Sequence, residues 1–246
     1  MRKNIAALGY IDEKVMSACV SEMTTDVLDQ GLAARSKFDE FVKRTIDIGA
    51  SLLVLVFGLP FYFLLAVFIK LTSEGPILFV QERVGLNGKK FRMLKFRTMT
   101  NGNNDQSHRN FAKDFINGDS NEVNGKDSGV FKIVDDPRVT SIGKFLRKTS
   151  LDELPQFLNV LKGEMTLVGP RPPLTYELDH YQEWHKLRLS VKPGLTGLWQ
   201  VSGRSTVAFD EMVALDLHYI ENWSLLLDTK IILRTVPVML CGTGGL

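Results

Sequence analysis

Cysteine is scarce in this 246-residue sequence, and no cysteine or histidine pattern suits a metal. The two cysteines, Cys19 and Cys241, lie near opposite ends and provide neither a disulfide framework nor a metal knuckle. None of the four histidines has metal-ligand spacing with another, so we interpret all four as structural. A formal net charge of +2 is too small to indicate nucleic-acid binding, and no RNA- or DNA-binding signature is present. Disulfide-rich, zinc-finger and nucleic-acid-binding classes are therefore excluded.

Charge is also missing from one long segment. Residues 48–69 contain no charged side chain and consist mostly of Leu, Ile, Val and Phe. As a helix the segment would be about 33 Å long, which is enough to cross the hydrocarbon core of a bilayer. The alternative is a central helix in a large soluble core, but such a helix seldom lacks a polar stripe. The sequence therefore predicts a membrane helix.

Basic residues flank this segment on both sides. They are Arg35, Lys37, Lys43 and Arg44 before it, and Lys70, Arg83, Lys89 and Lys90 after it. Because positive residues favour the cytoplasmic side of a membrane, both flanks favour the same side. A spanning helix violates one of these preferences, whereas a re-entrant helix satisfies both. Pro60, near the middle, lacks a backbone donor and is expected to break the helix there, so we predict the re-entrant form.

A β-hairpin is predicted after the membrane segment. Strand-like runs cover residues 77–83 and 91–99, and Asn87-Gly88 between them is a favoured pair for tight turns. The second run alternates apolar residues with the basic residues Arg92, Lys95 and Arg97. A basic strand face suits either solvent or the phosphate groups of a lipid or substrate, and the strand alone does not distinguish them.

The next segment, residues 101–129, is rich in Gly, Asn, Asp and Ser. This composition predicts a mobile loop, with a short helix around residues 111–115. Further along, residues 192–204 are glycine-rich and include Trp199. They suit a compact loop that brings backbone close to a ligand, or equally a simple connection.

Two adjacent carboxylates, Asp152 and Glu153, lie in the most informative segment, residues 147–163. One interpretation is structural, because Ser150 followed by Glu153 is a capping-box pattern, although Pro155 in the first turn would move the cap to Asp152. The other interpretation is catalytic. Carboxylates at a helix N-terminus stay ionised, so that one can act as a nucleophile while its neighbour binds a metal.

Two arginines on either side of the pair are suited to phosphate. Arg147 lies just upstream and can make bidentate phosphate contacts. Arg171 lies in the VGPRPP segment, residues 168–173, where three prolines stiffen the chain; the alternative is an exposed arginine in an ordinary turn. A carboxylate nucleophile, a divalent metal and arginine are the parts that phosphoryl transfer requires.

These motifs resemble those of the bacterial sugar transferases, the monotopic phosphoglycosyl transferases that initiate exopolysaccharide, capsule and O-antigen assembly. The resemblance extends from about residue 41 to the C-terminus. The motifs that carry it are KRTID (43–47), QERVG (81–85), KFRTM (95–99), LDELPQ (151–156), NVLKGEM (159–165), VGPRP (168–172) and KPGLTGLWQVSGR (192–204). The chain departs from many members in having Leu59, rather than serine, before the membrane proline.

The resemblance implies an α+β monotopic membrane protein. A re-entrant membrane helix, a small β-hairpin and amphipathic helices on the membrane surface are expected. The predicted divisions are an N-terminal tail of unknown role (1–40), the re-entrant membrane helix (41–71) and a cytoplasmic phosphoglycosyl transferase domain (72–246).

The resemblance also implies a catalytic site at the cytoplasmic face of the bacterial inner membrane. Asp152 is expected to be the nucleophile and Glu153 the ligand of Mg²⁺. The basic residues expected to contact substrate phosphates are Arg147, Arg171, Lys95 and Arg97. Expected substrates are a UDP-hexose, with galactose or glucose, and undecaprenyl phosphate. The alternatives are a glycosyltransferase that releases UDP and a non-catalytic membrane scaffold of a polysaccharide assembly complex.

Overall fold

The computed structural model describes residues 35–100, 105–117, 138–202 and 208–240. Most of the predicted N-terminal tail and both cysteines lie outside these residues. The strands are β1 (Leu78–Val84), β2 (Lys90–Phe96), β3 (Thr166–Val168) and β4 (Gly194–Thr196). The helices are α1 (Lys37–Thr72), α2 (Asp105–Ile116), α3 (Ser141–Lys148), α4 (Gln156–Lys162), α5 (Glu183–Lys186), α6 (Leu198–Ser202), α7 (Phe209–Glu221) and α8 (Leu225–Leu240). Short 3-10 turns cover Leu86–Gly88, Leu151–Glu153, Thr175–His180 and Leu187–Ser190. Helices are thus combined with two small sheets in the described part of the chain, in agreement with the predicted α+β class; the sheet of β3 and β4 was not predicted.

Helix α1 is the apolar segment. It is continuous over 36 residues, and its length and composition suffice to cross a membrane. Helical structure continues through Pro60, where the sequence predicted a break. A proline removes only one helical hydrogen bond. The Tyr62 side chain lies over Gly58, and its hydroxyl donates to the Val54 carbonyl at 2.9 Å, which links the two sides of the proline.

The two ends of α1 contact the rest of the chain, while its middle is exposed. Asp47 and Ser51 are buried near the first end, and Leu65 and Ile69 near the second. Residues 52–64 between them include no buried side chain. The first end is held to β3, where the Asp47 carboxylate accepts two hydrogen bonds, and the second end packs on β2 and α3.

The predicted hairpin is confirmed. Strands β1 and β2 pair antiparallel, with Leu78 opposite Phe96. Asn87 and Gly88 in the connection have φ angles of 54° and 75°. Asparagine and glycine adopt this left-handed conformation at low cost, which explains why the turn forms here. The helix expected around residues 111–115 is also confirmed, as part of α2.

The glycine-rich segment at 192–204 forms β4 and α6, and residues 203–204 lie outside the described part. Strand β4 pairs in parallel with β3, so that the backbones of the two strands lie close together. A Cβ atom on Gly194 would lie 2.1 Å from the backbone nitrogen of Gly169, so no side chain fits there. Helix α7 provides much of the largest apolar core among the described residues, including Met212, Val213 and Leu217.

Candidate active site

Asp152 and Glu153 lie in the short 3-10 turn between α3 and α4. Asp152 is buried, with 8% of its surface exposed. Ser150 has a left-handed φ of 55°, and its side chain makes no capping hydrogen bond, so the capping-box interpretation is wrong. Helix α4 begins only at Gln156, after Pro155. The two carboxylates therefore precede the helix, and their side chains are directed to other partners.

Lys95 of β2 faces both carboxylates. Its ammonium nitrogen lies 2.9 Å from Glu153 Oε1 and 3.9 Å from Asp152 Oδ2. All three side chains are largely shielded from water, and charges that lose water interact more strongly. The structure thus brings together three of the residues that the sequence selected.

Asn159 fixes the relative position of these residues. This buried side chain of α4 accepts a hydrogen bond from the backbone nitrogen of Leu94 at 3.1 Å and donates to the Arg92 carbonyl at 2.8 Å. It also donates to the Glu164 carboxylate at 2.7 Å. Because Leu94 adjoins Lys95, the strand that carries the lysine is held against the helix that follows the two carboxylates.

Arg171 lines a cleft together with Glu153 and Lys95. The cleft is open to solvent. Its polar lining consists of Arg83, Lys95, Glu153, Gln156, Arg171 and Gln200. Three of these side chains are cations and one is a carboxylate, so the lining favours an anionic ligand.

The proline-rich loop that carries Arg171 is held from two sides. The backbone nitrogen of Gly169 donates to the Thr196 carbonyl of β4 at 2.9 Å. On the other side, the Arg83 guanidinium of β1 donates to the Pro172 carbonyl at 2.9 Å. These contacts fix the backbone on each side of Arg171 and direct this residue into the cleft.

Arg83 is a site residue that the sequence reasoning missed. It is buried, and its guanidinium donates to Gln81 Oε1 at 2.8 Å as well as to the Pro172 carbonyl. Burial, helped by the nearby Arg171, lowers the pKa of Arg83 to about 10, although Glu177 opposes the change. Arg83 lies in the QERVG motif, which was already one of the family motifs. A strand residue can face either side of its sheet, however, and only the folded chain shows which side Arg83 faces.

Arg147 lies in the last turn of α3. Its Nε donates to the Thr98 hydroxyl at 3.0 Å, just beyond the end of β2. This places Arg147 beside the strand that carries Lys95, on the α3 side of the two carboxylates.

Arg97 is placed differently from the sequence expectation. It is buried, and its guanidinium donates to the Ser73 carbonyl at 2.7 Å and hydroxyl at 2.9 Å, and to the Ile69 carbonyl at 3.4 Å. These groups form the C-terminal end of α1, where carbonyls lack helical partners. Strand β2 ends at Phe96, so the alternation that would direct Arg97 to the side of Lys95 has already stopped. The structure does not bring Arg97 into the cleft.

Asp152 and Glu153 are the adjacent carboxylates that could hold Mg²⁺ at this site. Within the described residues, no group of three or more His, Cys, Asp or Glu could hold a metal ion. Mg²⁺ in phosphoryl-transfer sites is usually bound by one or two carboxylates together with substrate phosphates. Asp152 and Glu153 fit this pattern, provided that the metal arrives with the substrate and replaces Lys95 beside Glu153.

Comparison with known proteins defines the class. Residues 38–242 match the bacterial sugar transferase family, and the chain belongs to this family.

Individual relatives are similar over different shares of their length. The chain is 50% identical over 206 residues to the galactosyl transferase CpsE of Streptococcus agalactiae, which covers 82% of this chain and 43% of that protein. It is 43% identical over 219 residues to the undecaprenyl-phosphate galactose phosphotransferase of Salmonella typhimurium, which covers 89% of this chain and 44% of that protein. It is 40% identical over 230 residues to the exopolysaccharide production protein ExoY of Sinorhizobium fredii, which covers 93% of this chain and 99% of that protein. The chain thus spans less than half of the first two relatives and nearly all of the third.

Proposed function

We propose that this chain transfers a hexose-1-phosphate from a UDP-hexose, with galactose or glucose, to undecaprenyl phosphate. The observation that carries the proposal is the buried Asp152 beside Glu153 and Lys95, two residues that line a cleft together with Arg83 and Arg171. The name of the Salmonella relative describes transfer of phosphate-linked galactose to this lipid carrier. A non-catalytic scaffold would not require Asp152, Glu153 and Lys95 to lie together beside an open cleft.

In the first step, a carboxylate oxygen of Asp152 attacks the β-phosphorus of the UDP-hexose. A bond forms between this oxygen and the phosphorus, and the bond from the phosphorus to the bridging oxygen breaks. UMP leaves with the bridging oxygen, and the hexose phosphate remains on Asp152 as an acyl phosphate. Lys95 and Arg171 stabilise the negative charge on the phosphate oxygens during transfer.

In the second step, an oxygen of undecaprenyl phosphate attacks the same phosphorus. The bond to Asp152 breaks, the carboxylate is regenerated, and the hexose is released as a lipid-linked diphosphate. Because UMP has already left, the lipid phosphate can use the space that the nucleotide phosphate occupied. A covalent intermediate thus lets one cleft serve a soluble and a lipid substrate in turn.

Mg²⁺, held by Glu153 with Asp152 beside it, would neutralise charge on the diphosphate. Glu153→Gln tests this assignment. We expect the variant to require a higher Mg²⁺ concentration for half-maximal UMP release, with little change in melting temperature, because Glu153 caps no helix. An unchanged Mg²⁺ titration contradicts the assignment.

Trapping the intermediate tests the mechanism. The purified chain is incubated with UDP-galactose or UDP-glucose and Mg²⁺, without lipid phosphate. We expect UMP rather than UDP as the product, and a hexose-phosphate mass on the peptide that contains Asp152. Subsequent addition of undecaprenyl phosphate should remove that mass. Release of UDP with no adduct would instead indicate a glycosyltransferase.

For the membrane segment we propose a re-entrant path at the cytoplasmic face of the bacterial inner membrane. Arg44 donates to the Val160 and Leu161 carbonyls at 2.7 and 2.8 Å, while Ile69 packs with residues of β2 and α3. A straight helix would separate Arg44 from Ile69 by about 37 Å. We place a bend of the continuous helix near Pro60, which would bring both ends to the same domain and leave the exposed, apolar middle for the bilayer.

Cysteine labelling tests the topology. Cys19 precedes the membrane segment and Cys241 follows it, so variants that keep one cysteine report one side each. An impermeant maleimide should label neither thiol in intact spheroplasts and both after lysis in denaturant. Labelling of Cys19 from outside, with Cys241 protected, would demonstrate a spanning helix.

A further inference from the structure

The carboxylate pair lies close to the end of the membrane helix. Ile69, near the C-terminal end of α1, and Phe96 of β2 belong to one buried apolar cluster, and Ile77 and Leu151 pack against it. Ile77 directly precedes β1, and Leu151 directly precedes Asp152. The end of α1, the start of the hairpin and the turn that carries Asp152 therefore meet. A lipid that lies in the bilayer beside α1 has only a short path to this carboxylate.

Phe79 lies between this cluster and the cleft. In the hairpin register Phe79 is opposite Lys95, and Gln81 and Met93 form the next pair on the same face. Side chains that are directly opposite stand on one face of a sheet, with Cβ atoms about 5 Å apart. Lys95 and Met93 line the cleft. Phe79 therefore stands at the edge of the cleft, beside Lys95 and about 7 Å nearer to α1 along the strand than Gln81.

The surface at the start of β1 is apolar and exposed. Leu78, Phe79 and Val80 are three consecutive exposed residues, and Phe79 is 48% exposed. Phe68 and Leu71 at the end of α1 are exposed as well. Exposed apolar residues thus continue along the chain from the membrane helix to the edge of the cleft. An apolar ligand that covers Phe79 gains free energy, because it removes the aromatic ring from water.

We propose that Phe79 contacts the first isoprene units of the lipid phosphate, an inference that rests on the proposed function. In the second step an oxygen of this phosphate must reach the phosphorus on Asp152, beside Lys95. The hydrocarbon chain stays in the bilayer beside α1. A chain that joins these two places passes the edge of the cleft at Phe79. The contact stabilises the lipid substrate but not the UDP-hexose, which enters from water and carries no hydrocarbon.

The bilayer itself is the other apolar partner for the start of β1, and Val80 distinguishes the two. Val80 directly follows Phe79, is 39% exposed and is opposite Leu94. It therefore lies on the face of the hairpin away from Lys95. A bilayer that surrounds the strand would contact both exposed residues. A chain that leaves a phosphate at Lys95 contacts Phe79 alone, and the position of Phe79 beside this lysine favours the lipid substrate.

Phe79→Ser tests the proposal by separating the two steps in the full chain in detergent micelles. UMP release from UDP-galactose or UDP-glucose without lipid phosphate measures the first step. Loss of hexose phosphate from Asp152 at increasing undecaprenyl phosphate measures the second. The first step should change by less than about twofold, while the undecaprenyl phosphate concentration for half-maximal discharge should rise about tenfold or more. Phe79→Leu, which keeps an apolar side chain, should remain within about threefold of the unmodified protein.

Val80→Ser is the matched control and should leave both steps unchanged. An equal rise of the lipid requirement in Val80→Ser and Phe79→Ser would show that contact with the bilayer or micelle explains the effect, and it overturns the proposal. An unchanged lipid requirement in Phe79→Ser overturns it as well. So does an equal loss in both steps, because Phe79 would then support Lys95 rather than the lipid.

Photocrosslinking of the unmodified protein gives a readout that does not depend on the folding of a variant. The probe is a prenyl phosphate with a diazirine in its first isoprene unit. An adduct on residues 77–81 that excess undecaprenyl phosphate prevents supports the contact, and adducts confined to other segments overturn it. If this adduct forms but no UMP is released from a UDP-hexose, the lipid site stands and the proposed transfer reaction fails.

Discussion

Two parts of the molecule pair a lysine with carboxylates, and they differ in the number of hydrogen-bond partners of the lysine. In the first cluster, Lys95 with Asp152 and Glu153, the lysine is 16% exposed; in the second, Lys43 with Asp228, it is 18% exposed. Exposure therefore does not separate a candidate catalytic cluster from a structural one.

The second cluster is saturated by the protein. The Lys43 ammonium donates to the Val168 carbonyl at 3.0 Å and to Asp228. Asp228 also accepts from the Tyr219 hydroxyl at 2.7 Å and the Trp223 indole at 3.1 Å. Such a network holds α1, β3 and α8 together and has little capacity for another ligand.

The lysine of the first cluster has fewer hydrogen-bond partners than Lys43 within the described residues. Within the described residues, Lys95 has Glu153 at hydrogen-bond distance and Asp152 at 3.9 Å, and the lysine and Glu153 line an open cleft. A lysine with spare donors beside a carboxylate in a cleft can accept a phosphate group. The difference teaches that the hydrogen bonds still available, more than burial, distinguish a reactive ion pair from a structural one.

Asp152→Asn should give the largest difference between the two clusters. The amide keeps the shape but cannot act as a nucleophile, so UMP release should fall by at least about a thousandfold, with an unchanged melting temperature. Asp179→Asn, an exposed carboxylate, is the control and should retain full activity. Near-normal UMP release from Asp152→Asn would remove Asp152 from the mechanism.

Asp228→Asn should lower stability strongly and activity only slightly. It leaves Lys43 without its buried counter-charge, and we expect the free energy of unfolding to fall by about 3 kcal/mol, while turnover per folded molecule falls much less. Thermal unfolding in detergent and UMP release measure the two effects. The double variant Lys43→Met with Asp228→Leu should lose less stability than the sum of its single changes. A stable but inactive Asp228→Asn protein would contradict the comparison.

Arg171→Lys and Arg97→Lys should separate a phosphate contact from a structural contact. An ammonium cannot reproduce bidentate contacts, so Arg171→Lys should lower UMP release by about ten- to a hundredfold without affecting stability. Arg97→Lys loses hydrogen bonds to the end of α1 and should mainly lower the melting temperature. If Arg97→Lys lowers turnover and leaves the melting temperature unchanged, Arg97 contacts substrate after all. Arg147→Lys should resemble Arg171→Lys.

The smallest expected effect is a pH dependence from His185. Burial lowers the pKa of His185 below its usual value of 6.5, and the neighbouring Asp210 opposes this shift. A lowered pKa means that the folded chain favours the neutral ring. Its contribution to stability is therefore present above pH 6.5 and is lost as the pH falls through the folded-state pKa. Melting temperatures should fall on acidification below pH 6.5, and less steeply in His185→Asn; identical slopes would contradict this role.

Local features of the fold could be predicted because they depend on neighbouring residues. The apolar run of α1, the Asn87-Gly88 turn of the hairpin and the short helix α2 each follow from composition or turn preference within a few residues. Pro60 shows the limit of this reasoning. A proline tends to break a helix, but the Tyr62 contact and the surrounding apolar helix keep α1 continuous.

By itself, the sequence determined the long apolar segment, the family motifs and the residues with suitable chemistry. Only the tertiary structure decided which of them meet. Lys95 and Glu153 are 58 residues apart, and their contact depends on Asn159 holding α4 against β2. Arg97, two residues after Lys95, instead serves the end of α1. Such assignments depend on partners from distant segments, and no local pattern along the chain encodes the distance between two side chains.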